Sequence, residues 1–238
     1  TIDQQGTNVR LIGRGIDQFS QPNKTLDMGN SGTSTRLLMG LLSRQPFDIH
    51  IDGDESLSRR PMKRVLTPLS LMGANIKLSE NGTLPGVIYS NRQVTGITYE
   101  MPVASAQVKS AILLAGIQAE GVTTIIEKIP SRDHTERMLR QFGGTITVKG
   151  GVISVTKQHH LTGQHVTVPS DISSAAFFIV AGLITPNSKL TIKKVGINKT
   201  RDGALQLLKR MGAKIVMTEI KEQGEPFADI TVETQQLH

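Results

Sequence analysis

The hydrophobic positions of this chain follow a pattern that recurs three times. Each copy has an apolar helix end, a glycine, and then alternating apolar and polar residues. The copies are "SLMGANIKLS" (70–79), "RQFGGTITVK" (140–149) and "KRMGAKIVMT" (209–218). Their glycines, Gly73, Gly143 and Gly212, lie 70 and 69 residues apart. Glycine just past a helix is the usual left-handed cap and the alternation has the period of a strand, so the constant spacing indicates an internal repeat.

The other elements of the repeat align around these glycines. Upstream of each lies a largely apolar segment of small residues, which predicts a buried helix: "NSGTSTRLLMGLLS", "ASAQVKSAILLAGI" and "SDISSAAFFIVAGLI". A strand follows each of them: "FDIHIDGD", "VTTIIEK" and "KLTIKKV". A charged amphipathic helix then leads to the glycine: "RRPMKRVLTPLSLMG", "SRDHTERMLRQFG" and "NKTRDGALQLLKRMG". The pattern therefore predicts an α/β fold built of three β-α-β-α-β-β units.

The strand "NVRLIG" at the start of the chain has no helices before it. We expect it to be the end of a preceding unit that the chain does not contain.

Composition narrows the possible partners. The net charge of +7 favours anionic partners, but aromatic residues make up only 3% of the chain, and single-stranded nucleic acids need stacking rings. Small anions are therefore favoured over nucleic acid. No apolar run approaches the ~20 residues of a membrane helix. The absence of cysteine excludes thiolate zinc sites and cysteine nucleophiles and agrees with a cytoplasmic location, and the six histidines show no metal-ligand spacing.

The stretch "LDMGNSGTSTRLLMGLL" (26–42) carries the first candidate chemistry. Two glycines and several hydroxyl residues lead directly into an apolar helix. The N–H groups and macrodipole at such a helix start favour an anion. A well-capped core helix would have the same local sequence, so both interpretations stay open on this stretch alone.

Five motifs in order resemble one family: "GNSGTSTR", "GDESLSRRPM", "ASAQVKSAILLAG", "SRDHTERML" and "SDISSAAFF". They are similar to those of the 5-enolpyruvylshikimate-3-phosphate synthase family, and "ASAQVKSA" and "RDHTE" resemble its glyphosate-tolerant bacterial class. The resemblance extends from end to end of the chain. It implies an inside-out α/β barrel of six units in two domains, of which three units are expected here. Residues 1–166 would belong to the N-terminal domain, as the end of its first unit and its next two units, and 167–238 would be the first unit of the C-terminal domain.

The resemblance also implies a reaction. The carboxyvinyl group of phosphoenolpyruvate would be transferred to the 5-hydroxyl of shikimate 3-phosphate, with release of phosphate and without metal or cofactor. Both substrates are small anions, which agrees with the charge of the chain. We expect the chain to be inactive without the rest of the polypeptide, and the complete enzyme to be a monomer that binds neither nucleic acid nor membrane.

Site residues follow from the motif matches. The resemblance assigns Gly32, Arg60 and Gln107 to phosphoenolpyruvate, with Arg60 preceding Pro61 at an expected first helical position. It assigns Ser105, Ala106, Gln107 and Arg132 to shikimate 3-phosphate, with Ala106 contributing only its backbone. Supporting roles fall to Asn30, Thr33 and Asp171, the last as a helix cap that also shapes the domain junction. We expect Arg36 to be structural, and no residue of the chain is expected to act as general acid or base.

Two relatives of the fold are alternatives. A UDP-sugar enolpyruvyl transferase usually relies on a reactive cysteine, which this chain lacks. An RNA 3′-terminal phosphate cyclase would fit the positive charge, but its motifs and aromatic residues are missing. A binding module without catalytic activity is a third possibility, and it is compatible with a fragment of the synthase.

Overall fold

The protein is described by a computed structural model that covers residues 2–12, 15–222 and 224–238. The described residues form two compact units. The first contains the residues up to Glu100, with Gln107–Ile126 and Ile153–Lys157. The second contains Met101–Ala106, Glu127–Val152 and Gln158–His238.

A short antiparallel hairpin comes first along the chain. Strand β1 (Ile2–Gln5) pairs with β2 (Asn8–Leu11), and every residue of both strands is exposed. The predicted strand "NVRLIG" is thus confirmed over residues 8–11, while Gly13 lies outside the described residues. A single 3-10 turn, Ile16–Gln18, follows.

The first complete repeat contains seven elements. They are β3 (Leu26–Asp27), α1 (Gly32–Leu41), β4 (Ile49–Asp52), α2 (Glu55–Ser58), α3 (Lys63–Leu71), β5 (Ile76–Leu78) and β6 (Gly86–Ile88). Their strands form a sheet in the order β3-β4-β6-β5. The pair β3–β4 is parallel, and the other two pairs are antiparallel.

The second repeat has the same order of elements, except that its described residues form no counterpart of the short helix α2. Its elements are β7 (Thr98–Glu100), α4 (Ala106–Gly116), β8 (Val122–Ile126), α5 (His134–Gln141), β9 (Ile146–Lys149) and β10 (Val152–Thr156). The sheet order is β7-β8-β10-β9, and its first pair is again parallel.

The third repeat differs from the second only at its start. It contains α6 (Ile172–Ile184), β11 (Lys189–Gly196), α7 (Gly203–Arg210), β12 (Val216–Lys221) and β13 (Phe227–Glu233), in a sheet of order β11-β13-β12. In place of a first strand there is one parallel bridge, between Ser170 and Val195. The predicted repeat is therefore confirmed, with the correction that its third copy begins on a bridge rather than a full strand.

The three glycines that mark the repeat all adopt a left-handed backbone conformation. Their φ angles are 91° at Gly73, 79° at Gly143 and 89° at Gly212. Each follows a helix and precedes a strand, as predicted, and a residue with a Cβ is strained in this conformation.

The predicted buried helices differ in how far they are buried. In α4, eight of eleven residues are buried, which confirms the prediction there. In α6 the prediction is wrong for one face: Phe177, Phe178 and Ile184 are 78%, 62% and 63% exposed. The opposite face packs on the sheet of the third repeat, because an apolar helix with a single neighbouring layer can bury only one side. The buried cluster of this repeat consists of Ile172, Ala175, Ile179, Leu183, Val195, Leu205, Leu208, Ala213, Ile230 and Val232.

Helices α1 and α4 come from different repeats but approach each other closely within the first of the two compact units. A Cβ placed on Gly40 of α1 would lie 2.1 Å from the carbonyl oxygen of Ala111 in α4. Only glycine permits this approach. The spacing matters for the site, because the two helices carry its residues.

Candidate functional site

The site residues of the first unit lie where two parallel strands end. Strands β3 and β4 run in the same direction, so the turns that follow them meet at one edge of the sheet. The N–H of Asp54 donates to the carbonyl of Gly29 over 2.9 Å, which joins the two turns. Gly29 itself has a φ of 52° and donates its N–H to the Asp27 carboxylate at 2.8 Å.

The turn after β3 leads into the start of α1. Ser31 caps this helix, since its Oγ accepts from the N–H of Ser34 at 3.1 Å. The N–H of Thr33 has no acceptor among the described residues. The helix therefore presents an unused donor and the positive end of its dipole at this edge.

Gly32, the first residue of α1, lies between two guanidinium groups. A Cβ on Gly32 would be 2.9 Å from Nη1 of Arg36, 3.5 Å from Nη1 of Arg60 and 3.6 Å from Cδ1 of Leu57. A side chain at this position would fill the space that both arginines border. The surface formed by Gly32, Arg36 and Arg60 is called the arginine cradle below.

Arg60 is held in the cradle by the amide of Asn30, which a carboxylate anchors in turn. Its Nη2 donates to Oδ1 of Asn30 at 2.6 Å, and Nδ2 of Asn30 donates to Oδ2 of Asp54 at 2.7 Å. The other oxygen of Asp54 accepts from the N–H of Leu57 at 2.7 Å and so caps α2. The hydrogen bond from Asn30, followed by the one from Leu57, holds the pKa of Asp54 below its ordinary value. Asp54 is therefore a charged anchor for the Asn30 amide.

The expected position of Pro61 at the start of a helix is wrong. Helix α3 begins at Lys63, and the separate short helix α2 ends at Ser58. Arg60 lies in the turn between them, with its N–H bonded to the carbonyl of Leu57 at 2.9 Å. The Asp54 cap starts a separate helix that the amphipathic pattern did not indicate. The N–H of Met62 donates to the carbonyl of Gly82 at 2.9 Å, so Met62 precedes α3 instead of belonging to it.

Gln107, in the first turn of α4, reaches across to α1. Its Oε1 accepts from Nη1 of Arg36 at 2.9 Å, and its Nε2 donates to Oγ1 of Thr33 at 2.8 Å. Arg36 also donates from Nη2 to the carbonyl of Pro61 at 2.9 Å. The structure thus brings together Asn30, Gly32, Thr33, Arg60 and Gln107, and it places Arg36 among them.

Neither arginine of the cradle forms an ion pair with a described residue. Among the described residues, neither Arg36 nor Arg60 has a carboxylate within 4.0 Å. Burial, followed by the positive charges of Arg60 and Arg64, holds the pKa of Arg36 below its ordinary value. Two guanidinium groups that repel one another, beside a helix N-terminus, form a surface that favours a bound anion.

The remaining predicted residues belong to the second unit. Ser105 immediately precedes α4, Ala106 is its first residue, and both are half-buried. Arg132 is exposed and lies two positions before α5. Asp171 caps α6, accepting from the N–H of Ser174 at 3.2 Å and from Arg201 at 3.0 Å.

Sequence reasoning missed a network next to Arg132. Asp133 accepts from Nε of Arg137 and from Nδ2 of Asn198, each at 2.8 Å. His134 bonds through Nδ1 to Glu225 at 2.8 Å. Asn198 is 3% exposed, yet nothing in "INKTRD" marks it as buried. These contacts anchor both residues that follow Arg132.

Residues 2–12, 15–222 and 224–238 contain neither a membrane-spanning helix nor a cluster of metal-ligating side chains. No helix there has the length and apolar character to cross a membrane. No three histidine, aspartate or glutamate side chains in the same ranges cluster as metal ligands would.

Comparison with known proteins places the chain in a family. The family model for EPSP synthase (3-phosphoshikimate 1-carboxyvinyltransferase) matches residues 1–237. A 3-phosphoshikimate 1-carboxyvinyltransferase of Leuconostoc citreum is 68% identical over 237 residues, covering 100% of this chain and 55% of that protein. One of Bacillus cytotoxicus is 50% identical over 237 residues, covering 99% of this chain and 56% of its own length.

Solved structures agree with these relatives. EPSP synthase from Acinetobacter baumannii superposes with a TM-score of 0.89 at 48% identity, over 98% of this chain and 54% of that one. The chain spans about half the length of the curated relatives it matches. The matches to the family model, to named relatives and to this structure show that the chain belongs to the EPSP synthase family.

Proposed function

We propose that this chain forms part of a 3-phosphoshikimate 1-carboxyvinyltransferase and that the arginine cradle binds phosphoenolpyruvate. The observation that carries the proposal is the pair of guanidinium groups of Arg36 and Arg60 around Gly32, without a carboxylate partner in the described chain. Phosphoenolpyruvate carries a phosphate and a carboxylate, and the planar fork of arginine binds both groups well.

The proposed reaction joins two anions. The 5-hydroxyl of shikimate 3-phosphate adds to the vinyl carbon that carries the phosphate oxygen, and a proton adds to the methylene carbon. The hydroxyl loses its own proton in this addition, which balances the proton gained by the methylene carbon. Loss of one proton from the resulting methyl group and of inorganic phosphate from the tetrahedral intermediate then restores the double bond. Fixed positive charge lowers the repulsion between the substrates. We assign no proton transfer to a residue of this chain.

Substrate contacts are proposed residue by residue. Gly32, Arg60 and Gln107 would bind phosphoenolpyruvate, where the amide of Gln107 and the N–H of Thr33 add donors to the two arginines. Shikimate 3-phosphate would be bound by Ser105, Ala106, Gln107 and Arg132. Asn30 and Thr33 would hold the cradle in shape, and Asp171 would do so for the start of α6.

The chain is proposed to need further polypeptide for turnover. The relatives are nearly twice as long as this 238-residue chain. The roles that we assign to its residues are in substrate binding, and none is in proton transfer. We further propose that the complete enzyme is a cytoplasmic monomer without metal or cofactor. Residues 1–166 would belong to its N-terminal domain and 167–238 to its C-terminal domain.

A chimera tests the proposed function directly. Residues 1–238 replace the matching segment of the Leuconostoc citreum relative, which is 68% identical, in a bacterial strain that lacks its own synthase. The chimera should restore growth without aromatic amino acids and release phosphate from the two substrates. The relative with its segment deleted is the matched negative control. A folded chimera without either activity would overturn the proposal.

The role of Arg60 can be tested in the same chimera. Arg60→Ala should lower kcat/KM for phosphoenolpyruvate by roughly 100-fold, because a charge-assisted bidentate contact is lost. Asn30→Ala should cause a smaller loss, since Arg60 keeps its charge but loses the 2.6 Å bond that orients it. Arg59→Ala is the control: Arg59 is largely exposed and pairs with Glu55. Equal values for Arg60→Ala and Arg59→Ala would remove Arg60 from the site.

A further inference from the structure

Arg36 connects the three segments that carry the candidate site. From Nη1 it donates to the carbonyl of Gly32 at 3.3 Å and to Oε1 of Gln107 at 2.9 Å. From Nη2 it donates to the carbonyl of Pro61 at 2.9 Å. One guanidinium group therefore joins the start of α1, the turn that holds Arg60 and the first turn of α4.

The contact with Arg36 decides which way the Gln107 amide faces. A guanidinium group only donates hydrogen bonds, so the Gln107 atom facing it must be the carbonyl oxygen. The amide nitrogen then faces Thr33, whose Oγ1 accepts one of its two hydrogens at 2.8 Å. Among the described residues the second hydrogen has no acceptor, and it remains available to a bound anion.

We propose that Arg36 is a positioning residue that fixes the Gln107 amide as a hydrogen-bond donor toward the anion in the arginine cradle. This inference rests on the proposed function. If the amide rotated by half a turn, Oε1 would face the anion and repel it. Thr33 cannot prevent this rotation, because its hydroxyl can donate as well as accept. Among the described contacts of this amide, only the one with Arg36 discriminates between the two orientations.

Lysine cannot replace arginine in this role. An ammonium group is a compact point charge, whereas the guanidinium fork reaches two acceptors in fixed directions. The carbonyl of Pro61 and Oε1 of Gln107 are held by different nitrogens of Arg36. Arg36→Lys therefore keeps the positive charge of the cradle and removes the fork, which separates positioning from simple electrostatic attraction.

A double-mutant cycle tests whether Arg36 acts through Gln107. The variants are Arg36→Lys, Gln107→Ala and their combination, in the Leuconostoc citreum chimera with shikimate 3-phosphate saturating. Each single variant should lower kcat/KM for phosphoenolpyruvate roughly 10- to 100-fold, the range for a hydrogen bond to a charged group. The double variant should be no worse than Gln107→Ala. Losses that multiply, or an unchanged Arg36→Lys, would overturn the inference. Arg64→Lys, an exposed neighbour in α3, is the matched control and should be unchanged.

Two further measurements keep the inference testable if Arg36→Lys folds poorly or the chimera has no turnover. Gln107→Glu retains an acceptor for Arg36 but has no N–H, so it should lose at least as much activity as Gln107→Ala. Retained activity would contradict a donor role.

The side-chain amide signals of Gln107 give a readout without catalysis. In a nitrogen-15 spectrum they should be shifted from free-amide values, and Arg36→Lys should move them toward those values and speed their exchange with water. If the Gln107 signals are the same in Arg36→Lys as in the original chain, positioning by Arg36 is refuted, whether or not the chimera is catalytically active. Signals that respond in a chimera without turnover would uphold positioning and refute the proposed function.

Discussion

Replacing Gly40 with alanine should damage the fold and the candidate site together. The new methyl group would stand 2.1 Å from the carbonyl oxygen of Ala111, 2.7 Å from its carbonyl carbon and 2.8 Å from its Cα. Ordinary contact begins at 3.4 Å. Since the obstacle is backbone, helices α1 and α4 must separate by more than about 1 Å at their crossing.

The size of the effect follows from that displacement. Overpacking a core costs about 1–3 kcal/mol, and we expect about 3 kcal/mol here because no side chain can turn away. For a chain of this size that lowers Tm by about 6–12 °C. The same shift would stretch the 2.9 Å bond between Arg36 on α1 and Gln107 on α4. A misplacement of about 1 Å can reduce kcat/KM by about 100-fold.

Thermal unfolding and kinetics of the chimera measure the two effects separately. Unfolding is followed by far-ultraviolet circular dichroism and by limited proteolysis, because two compact units need not unfold together. Gly203→Ala is the matched control: this glycine also lies in a helix, as the first residue of α7, but a Cβ there would meet nothing within 4 Å. It should be neutral or stabilising by up to about 1 kcal/mol. An unchanged Tm for Gly40→Ala would refute the packing argument, and a lower Tm with unchanged kcat/KM would refute the link to the site.

Two further predictions follow from single contacts. Gly32→Ala should weaken phosphoenolpyruvate binding by about 10-fold or more. The new Cβ would lie 2.9 Å from Nη1 of Arg36 and would push that guanidinium group away from Gln107. Isothermal titration calorimetry of the chimera measures the Kd, and an unchanged Kd would contradict this prediction. Burial alone would raise the pKa of Asp133, but bonds from its partners, Asn198 among them, outweigh it and hold the pKa below its ordinary value. Asp133 therefore stabilises the fold above its unfolded pKa of about 4 and loses this contribution as the pH falls through its folded pKa. Urea unfolding at stepped pH should show a smaller acid loss in Asn198→Ala than in the original chain, and equal losses would contradict the assignment.

Most of the fold could be predicted because its signals are local and repeated. A glycine after each amphipathic helix is visible in the sequence, and its three copies lie 70 and 69 residues apart. The φ angles of 79–91° at these glycines confirm the predicted helix ends. The errors over α6 and α3 have the same cause. Burial of α6 depends on what lies against its outer face, and the start of α3 depends on the hydrogen bond from the Met62 N–H to the distant carbonyl of Gly82. Neither is encoded in the periodicity of the segment itself.

Only the site residues that stand in motifs of the family could be predicted from the sequence. Gly32, Arg60 and Gln107 stand in motifs of the family, and the structure brings these three together. The partners that orient them could not be found in the same way. Arg36 and Gln107 are 71 residues apart, and Asn198 reaches Asp133 across 65. Contacts over such separations are set by the packing of whole elements, which a single sequence does not reveal.

The repeat nevertheless contains a signal for Arg36. The first helix of each repeat has a glycine near its end. Four residues before that glycine, the three repeats have Arg36, Ile112 and Phe178. Ile112 is fully buried, and Phe178 lies on the exposed face of α6. A charged residue at a position that is apolar in the other copies costs desolvation, which is visible in the lowered pKa of Arg36. Capping and packing of α1 do not require that cost, since Ser31 and Met39 already provide both. The presence of an arginine at this position in one repeat of three is explained if Arg36 is required to bind the anion and to orient the Gln107 amide.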